Sequence, residues 1–192
     1  MIMQNTQVKK DIRYEFLKRL IDIVFTVILL ILFSPIIVAV ALAIKLSSPG
    51  PILADTPERV GKDGKKFKMF KFRSMIQNAH QMLREDPKYA ELYSKYKKGS
   101  YKLKDDPRIT PVGRFIRKHS LDEVPQFFNV LRGEMSLVGP RAYYPDELED
   151  QQKKYPYTRK AVKVVISVKP GITGLWQVSG RSEIHFDKRI QL

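Results

Sequence analysis

The chain contains no cysteine. Disulfide frameworks, Cys-ligated zinc, iron–sulfur clusters and thiol nucleophiles are thereby excluded, and the composition suits a reducing compartment. Histidine is scarce too: His80, His119 and His185 are scattered and match no metal-binding spacing. There is no Walker A loop, no G-x-G-x-x-G, no G-x-S-x-G and no internal repeat, so most motif-borne nucleotide and hydrolase chemistries are missing. Acid is in short supply, with 20 Asp+Glu against 35 Lys+Arg and a formal net charge of +15. That surplus calls for a polyanionic partner, and nucleic acid, phosphorylated small molecules and an anionic lipid surface all qualify. The 192 residues suit one domain with a real core, and a hydrophobic share of 43% excludes a wholly disordered chain.

What is present is unevenly distributed. From Ile23 to Ile44 no residue is charged, a run long enough to cross a bilayer as a helix and too long for a cleavable signal. Both flanks are basic: Lys9, Lys10, Arg13, Lys18 and Arg19 precede the run, and Lys45, Arg59, Lys62, Lys65 and Lys66 follow it. The positive-inside rule therefore draws both ends to the same side, which a straight span does not satisfy. Ser34-Pro35, near the middle, offers a bend, because proline removes a backbone donor and serine can take up a freed carbonyl. The pattern predicts a re-entrant helix–break–helix with limbs 20–33 and 36–46; a Pro-kinked spanning helix is the alternative.

Ser47-Ser48-Pro49-Gly50-Pro51 closes this segment, giving a membrane unit over 1–48 and a soluble unit over 49–192. Residues 51–60 and 66–73, around the turn Gly61-Lys62-Asp63-Gly64, read as a β-hairpin carrying Lys71 and Arg73. Residues 74–98 read as two short surface helices separated at Pro87, and Asp105-Asp106-Pro107-Arg108 as a solvated turn. Ser120-Leu121-Asp122-Glu123 has a Ser-x-x-Glu pattern that predicts a capped helix running to Arg132 and stopping at Gly133, bent early by Pro125. Met135 to Val138 reads as a short buried strand, followed by the turn Gly139-Pro140-Arg141.

The Asp122-Glu123 pair has two readings. As helix-start acids they relieve the helix dipole and complete a capping box. As chemistry they sit among Arg114, Arg117, Lys118, Arg132 and Arg141, which keeps a nucleophilic carboxylate ionised, and one or two carboxylates suffice for Mg²⁺ when a substrate phosphate completes the shell.

Several long ordered strings carry a resemblance. They are Glu58-Arg59-Val60-Gly61, Phe70-Lys71-Phe72-Arg73-Ser74-Met75, Ser120 to Gln126, Asn129 to Arg141, and Lys169 to Arg181 with its Gly-Leu-Trp-Gln-Val-Ser-Gly-Arg ending. Together with the apolar segment, they resemble the bacterial sugar transferases, the monotopic polyprenyl-phosphate phosphoglycosyl transferases, over nearly the whole chain. The resemblance implies an α+β fold: a re-entrant membrane helix followed by a small, mostly helical cytoplasmic catalytic domain with a short β-hairpin, on the bacterial inner membrane. It implies transfer of a sugar-1-phosphate from a UDP-sugar to polyprenyl phosphate with release of UMP, as a first membrane step of exopolysaccharide assembly. Asp122 would be the nucleophile, Glu123 would hold Mg²⁺ with Asp122, and Arg117, Arg141, Lys71, Arg73, Lys169 and Arg181 would contact substrate or phosphate. Membrane lipid, and not nucleic acid, would then be the polyanionic surface, with a homodimer left open. Ala142 departs from the family's Gly-Pro-Arg-Pro, and Lys169 stands where arginine is common and loses the bidentate fork. The resemblance also implies a helical tail beyond Leu192.

Overall fold

The computed structural model describes residues 11–98, 101, 103, 105–180 and 184–192. Asp11 opens the first helix, its carboxylate accepting from the backbone N–H groups of Arg13 and Tyr14. From there α1 runs Ile12–Ser47 without interruption. Pro35 does not break it, because the carbonyl it leaves unpaired, that of Ile31, accepts from the Ser34 hydroxyl at 2.8 Å. The expected break is thus a continuous helix at this point, repaired by one side chain. Only 11% of its most apolar window is buried, so this is not the core helix of a soluble domain.

One stripe of α1 meets the rest of the chain at both ends. Near its start, Lys18 pairs with Asp22 at 2.6 Å, and Asp22 accepts from the Ser136 hydroxyl and from Leu137 N–H. Arg19 donates to the Val130 and Leu131 carbonyls. Near its end, Val40 and Ile44 share a buried cluster with Phe72, Ile116 and Val124, and Phe33 and Ile37 pack against it.

The hairpin forms as the sequence predicts, with shorter regular strands. Strands β1 (Arg59–Val60) and β2 (Lys66–Phe67) pair antiparallel, with Arg59 opposite Phe67. Looser pairing continues to the Arg73 N–H, which donates to Ile52 O, and to a bridge between Leu53 and Phe72. Two helices, α2 (Ala79–Glu85) and α3 (Ala90–Lys98), flank Pro87 as expected. Asp106 is a correction. Instead of a solvated turn it forms a buried two-point pair with Arg108, at 2.8 and 2.6 Å, and Arg108 also donates to Ala79 O. The fork of one guanidinium satisfies both the acid and a helix carbonyl, which makes burial affordable.

Thr110 caps α4 (Pro111–Lys118) through Gly113 N–H, and a Cβ at Gly113 would collide with the Ser74 carbonyl, so glycine lets α4 lie against the hairpin's exit. After it come α5 (Gln126–Leu131), β3 (Ser136–Val138), α6 (Pro145–Lys154) and α7 (Arg159–Ile166). Strand β4 (Gly171–Thr173) returns parallel to β3, with Ser136 opposite Gly171. The glycine-rich stretch after Lys169 thus contributes a strand. Gly139 and Gly171 make this crossing possible, since a Cβ on Gly171 would overlap Gly139. Short helices α8 (Leu175–Val178) and α9 (Phe186–Arg189) complete the described chain. Among the described residues the architecture is α-rich with two minimal sheets and one long apolar helix.

Candidate active site

A cavity of about 550 Å³ opens between the hairpin, α2, α4 and the lead-in to α5. Eight cationic side chains border it against four carboxylates, so its field favours a polyanion. Lys71, Arg73, Arg117, Asp122, Glu123 and Arg141 all border it, as the sequence anticipates.

The acid pair is held in a way the capping-box reading does not foresee. Ser120 takes a left-handed conformation (φ 56°) and its side chain caps nothing; Leu121–Glu123 form a 3₁₀ turn, and regular helix begins only after Pro125. Proline at the N-cap position leaves the preceding residues free to wind more tightly, which moves Ser120 away from the helix start. The structural duty of Asp122-Glu123 as cap acids therefore lapses. Glu123 turns to Lys71, Oε1 to Nζ 2.9 Å, and the same ammonium lies 3.9 Å from Asp122 Oδ2. The Asp122 carbonyl accepts from Phe72 N–H at 3.0 Å, which locks the turn to the hairpin.

The two carboxyls are driven apart electrostatically. Burial pushes Asp122 above the ordinary carboxylate value, with Lys71 pulling it back and Glu123 adding to the rise. Burial also acts on Glu123, but the hydrogen-bonded Lys71 ammonium, with Arg141 and Arg59, outweighs it and holds that carboxyl low. A carboxyl raised by burial beside one held low by its cations is a pattern that suits divided labour. Asp122 is thus not held low by its cations as the sequence suggests; its burial outweighs them.

Other predicted residues fall in different places. The guanidiniums of Arg117 and Arg141 carry no hydrogen bond or ion pair among the described residues, which leaves both free for a ligand. Arg73 spends its donors elsewhere, on the carbonyls of Ile44, Ser48 and Pro49 that end α1. Lys169 lies outside the cavity, beside Arg19 and Lys62; burial and those two cations lower its pKa. Arg181 lies outside the described residues.

Among the described residues no three His, Asp or Glu side chains form a ready metal cage. A hard cation that shares its shell with substrate phosphates needs fewer: two carboxylates at one cavity wall, one of them held ionised, fit Mg²⁺.

The model of the bacterial sugar transferase family matches residues 13–192. This chain belongs to that family. It is similar to the undecaprenyl-phosphate galactose phosphotransferase of Salmonella typhimurium, 45% identical over 192 residues, covering 98% of this chain and 37% of the relative. It is also similar to the UDP-glucose:undecaprenyl-phosphate glucose-1-phosphate transferase of Escherichia coli, 42% identical over 86% of this chain and 32% of the relative. A third relative, the exopolysaccharide production protein ExoY of Sinorhizobium fredii, is 39% identical over 90% of this chain and 73% of its own. The chain thus spans under two-fifths of the length of the Salmonella relative.

For this family member, sequence reasoning passes over two residues that build the site. Asn129, fully buried, accepts from Phe70 N–H and donates to Lys68 O and to Glu134, tying the strand before Lys71 to α5. A lone amide among Phe127, Phe128, Val130 and Leu131 was the available signal, because a buried amide demands partners. Arg59 borders the cavity with its guanidinium stacked 3.2 Å over the Tyr144 ring. In the sequence it reads only as one of the basic residues after the apolar run and as one letter of a longer string.

Proposed function

We propose that this chain transfers a sugar-1-phosphate from a UDP-sugar to undecaprenyl or a similar polyprenyl phosphate. The carrying observation is the desolvated Asp122 beside an ionised Glu123, in a cavity whose unpaired cations Arg117 and Arg141 await phosphate. The names of the Salmonella and Escherichia coli relatives both refer to undecaprenyl phosphate, and that of the latter also to UDP-glucose, which supports this reading.

In the first half-reaction a carboxylate oxygen of Asp122 attacks the sugar-linked phosphorus. An oxygen–phosphorus bond forms, the bond from that phosphorus to the bridging oxygen breaks, and its electron pair departs on UMP. The polyprenyl phosphate then attacks the same phosphorus and frees Asp122. Lys71 and Arg117 face the charge that spreads over the phosphoryl oxygens, the main resource in such transfers. Mg²⁺, held by Glu123 with Asp122, would supply further charge neutralisation there. Phe72 and Asn129 keep Lys71 and the acid turn in fixed relation.

The apolar helix suits a re-entrant anchor. Arg19 meets Val130, and Ile44 shares a cluster with Val124, only six residues earlier in the chain; a straight rod would set Arg19 and Ile44 about 37 Å apart. Basic flanks on both sides support the same reading. Such an anchor holds the cavity on the cytoplasmic face at the plane where a lipid phosphate sits.

The deciding experiment incubates the protein in detergent with a UDP-sugar and no acceptor, then weighs it intact. Wild type gains the mass of a sugar phosphate and Asp122→Asn does not. Absence of added mass on folded wild type, over a panel of UDP-sugars, overturns the reading.

A further inference from the structure

Two basic side chains meet over Gly133, away from the reaction cavity. A Cβ at that glycine (φ 80°) would lie 3.6 Å from the Lys169 ammonium and 3.7 Å from a terminal nitrogen of Arg19, so both cations border one small space. Lys62 joins them from the hairpin. Its ammonium pairs with Glu15 at 2.8 Å, and Glu15 lies one helical turn before Arg19 on the same face of α1. None of Arg19, Lys62, Gly133 and Lys169 borders the reaction cavity. Ser136 fixes the arrangement from both sides, its N–H donating to the Pro170 carbonyl and its hydroxyl to Asp22.

The charges do not balance locally. The Lys169 ammonium makes no hydrogen bond or ion pair among the described residues, and Arg19 turns its donors on the Val130 and Leu131 carbonyls, which carry no full charge. The acids along this stripe of α1 are already engaged, Glu15 by Lys62, and Asp22 by Lys18, Ser136 and Leu137. Glu134, next to the glycine, accepts from Asn129. A half-buried ammonium held beside a guanidinium costs free energy that an arriving anion returns.

The position along α1 says which anion. Arg19 stands four residues before Ile23, where the charge-free run begins, or about 6 Å along the helix. The headgroup layer of a bilayer is about 5–7 Å deep on each side of the hydrocarbon. With the apolar run in the bilayer, these cations lie at the depth of the lipid phosphates. Phe16, Leu17 and Leu20 are exposed on the same turns. A free phosphate or a nucleic acid would leave that apolar surface in water, whereas a lipid covers it with its acyl chains.

We propose that Lys169, Arg19 and Lys62 form a binding site for the phosphodiester headgroup of an anionic phospholipid, separate from the reaction cavity. This rests on the membrane-anchor reading above. The bound lipid supplies the counter-charge that the fold lacks and ties strand β4, through Lys169, to the start of α1.

The test follows the melting temperature of the purified full chain in uncharged detergent micelles as phosphatidylglycerol is titrated in. Wild type is stabilised by phosphatidylglycerol and not by phosphatidylcholine. Lys169→Gln raises the half-saturating phosphatidylglycerol content by about fivefold, the effect of one interfacial charge, and Lys169→Arg stays within about twofold of wild type. A wild type without this preference, or a Lys169→Gln protein that keeps it in full, overturns the proposal. Equal stabilisation by inorganic phosphate assigns the site to a free anion, and an equal loss of the Lys169→Gln response to undecaprenyl phosphate assigns it to the reaction; either result overturns it too. Should Lys169→Gln fail to fold, Lys62→Gln decides, a rise of about twofold or more supporting the site and an unmoved midpoint refuting it. Recovery of the chain with washed membranes is scored separately. Its failure condemns the anchor, while an unmoved lipid preference on a membrane-bound chain condemns only this site.

Discussion

A carboxyl driven up by burial sits in the folded chain at a cost. Asp122 is such a group, and its contribution runs against stability once it ionises. Asp122→Asn should therefore match or exceed wild type in melting temperature at pH 7 in chelator-containing buffer, while labelling by donor disappears; a clear drop in melting temperature would contradict the assignment. Glu123→Gln should behave oppositely, since it strips Lys71 of its 2.9 Å partner, with a loss of about 1 kcal/mol read by denaturant titration. His80 supplies the pH dependence. Burial first, then Arg59, Arg108 and Arg84, lowers its pKa from 6.5 to about 4. Because folding disfavours its protonation, its stabilising effect is complete above pH 6.5 and is lost as the pH falls toward 4. Wild type should lose more melting temperature over that interval than His80→Gln does. The acid pair was legible as a candidate because the strings around it are specific. Its freedom from capping duty was not legible, since whether Ser120 or Pro125 starts the helix is decided by packing against the hairpin.

At the level of elements, α1 was the most readable part and also misread locally. That a long apolar helix occupies this region, and that Ser34 takes up a freed carbonyl, follow from hydropathy and backbone accounting alone, whereas its early start after Asp11 does not. That the helix would pass through Pro35 unbroken depends on a single hydroxyl meeting the carbonyl of Ile31. Ser34→Ala should cost about 1 kcal/mol, and Pro35→Ala should favour a straight span. The absence of native cysteine makes the check clean: single cysteines at Asn5 and Glu91 should both resist an impermeant reagent applied from outside intact cells, and Pro35→Ala should expose one of them. The docking of α1 was invisible in sequence, because Asp22 reads there as the end of a charged flank. In the fold it is 3% exposed and anchors to Ser136 and Leu137. Removing it with Asp22→Ala should destabilise by about 3 kcal/mol, the cost of stranding buried partners. The hairpin and the paired surface helices were readable from turns and Pro87. Strand β4 was not, since three residues among glycines have no period and exist only through pairing with β3.

For the molecule as a whole, the charge of +15 finds its meaning in where it collects. Eight cations meet four acids around one cavity, and donor affinity should fall steeply as salt rises from 50 to 500 mM. A flat response would assign the basic character to other surfaces. The direction of that charge could be read from composition; its convergence could not, because the contributing residues lie between positions 59 and 141.

Lys71, Phe72 and Arg73 have a consequence as a set. The first reaches the acid pair, the second binds the Asp122 carbonyl, and the third clasps the last turn of α1. Three consecutive residues span about 10 Å at most. They act as a gauge block: the height of the acid pair above the end of the apolar helix is set by covalent dimensions, so on the proposed reading a bilayer that thickens or thins would carry the reaction centre along with it.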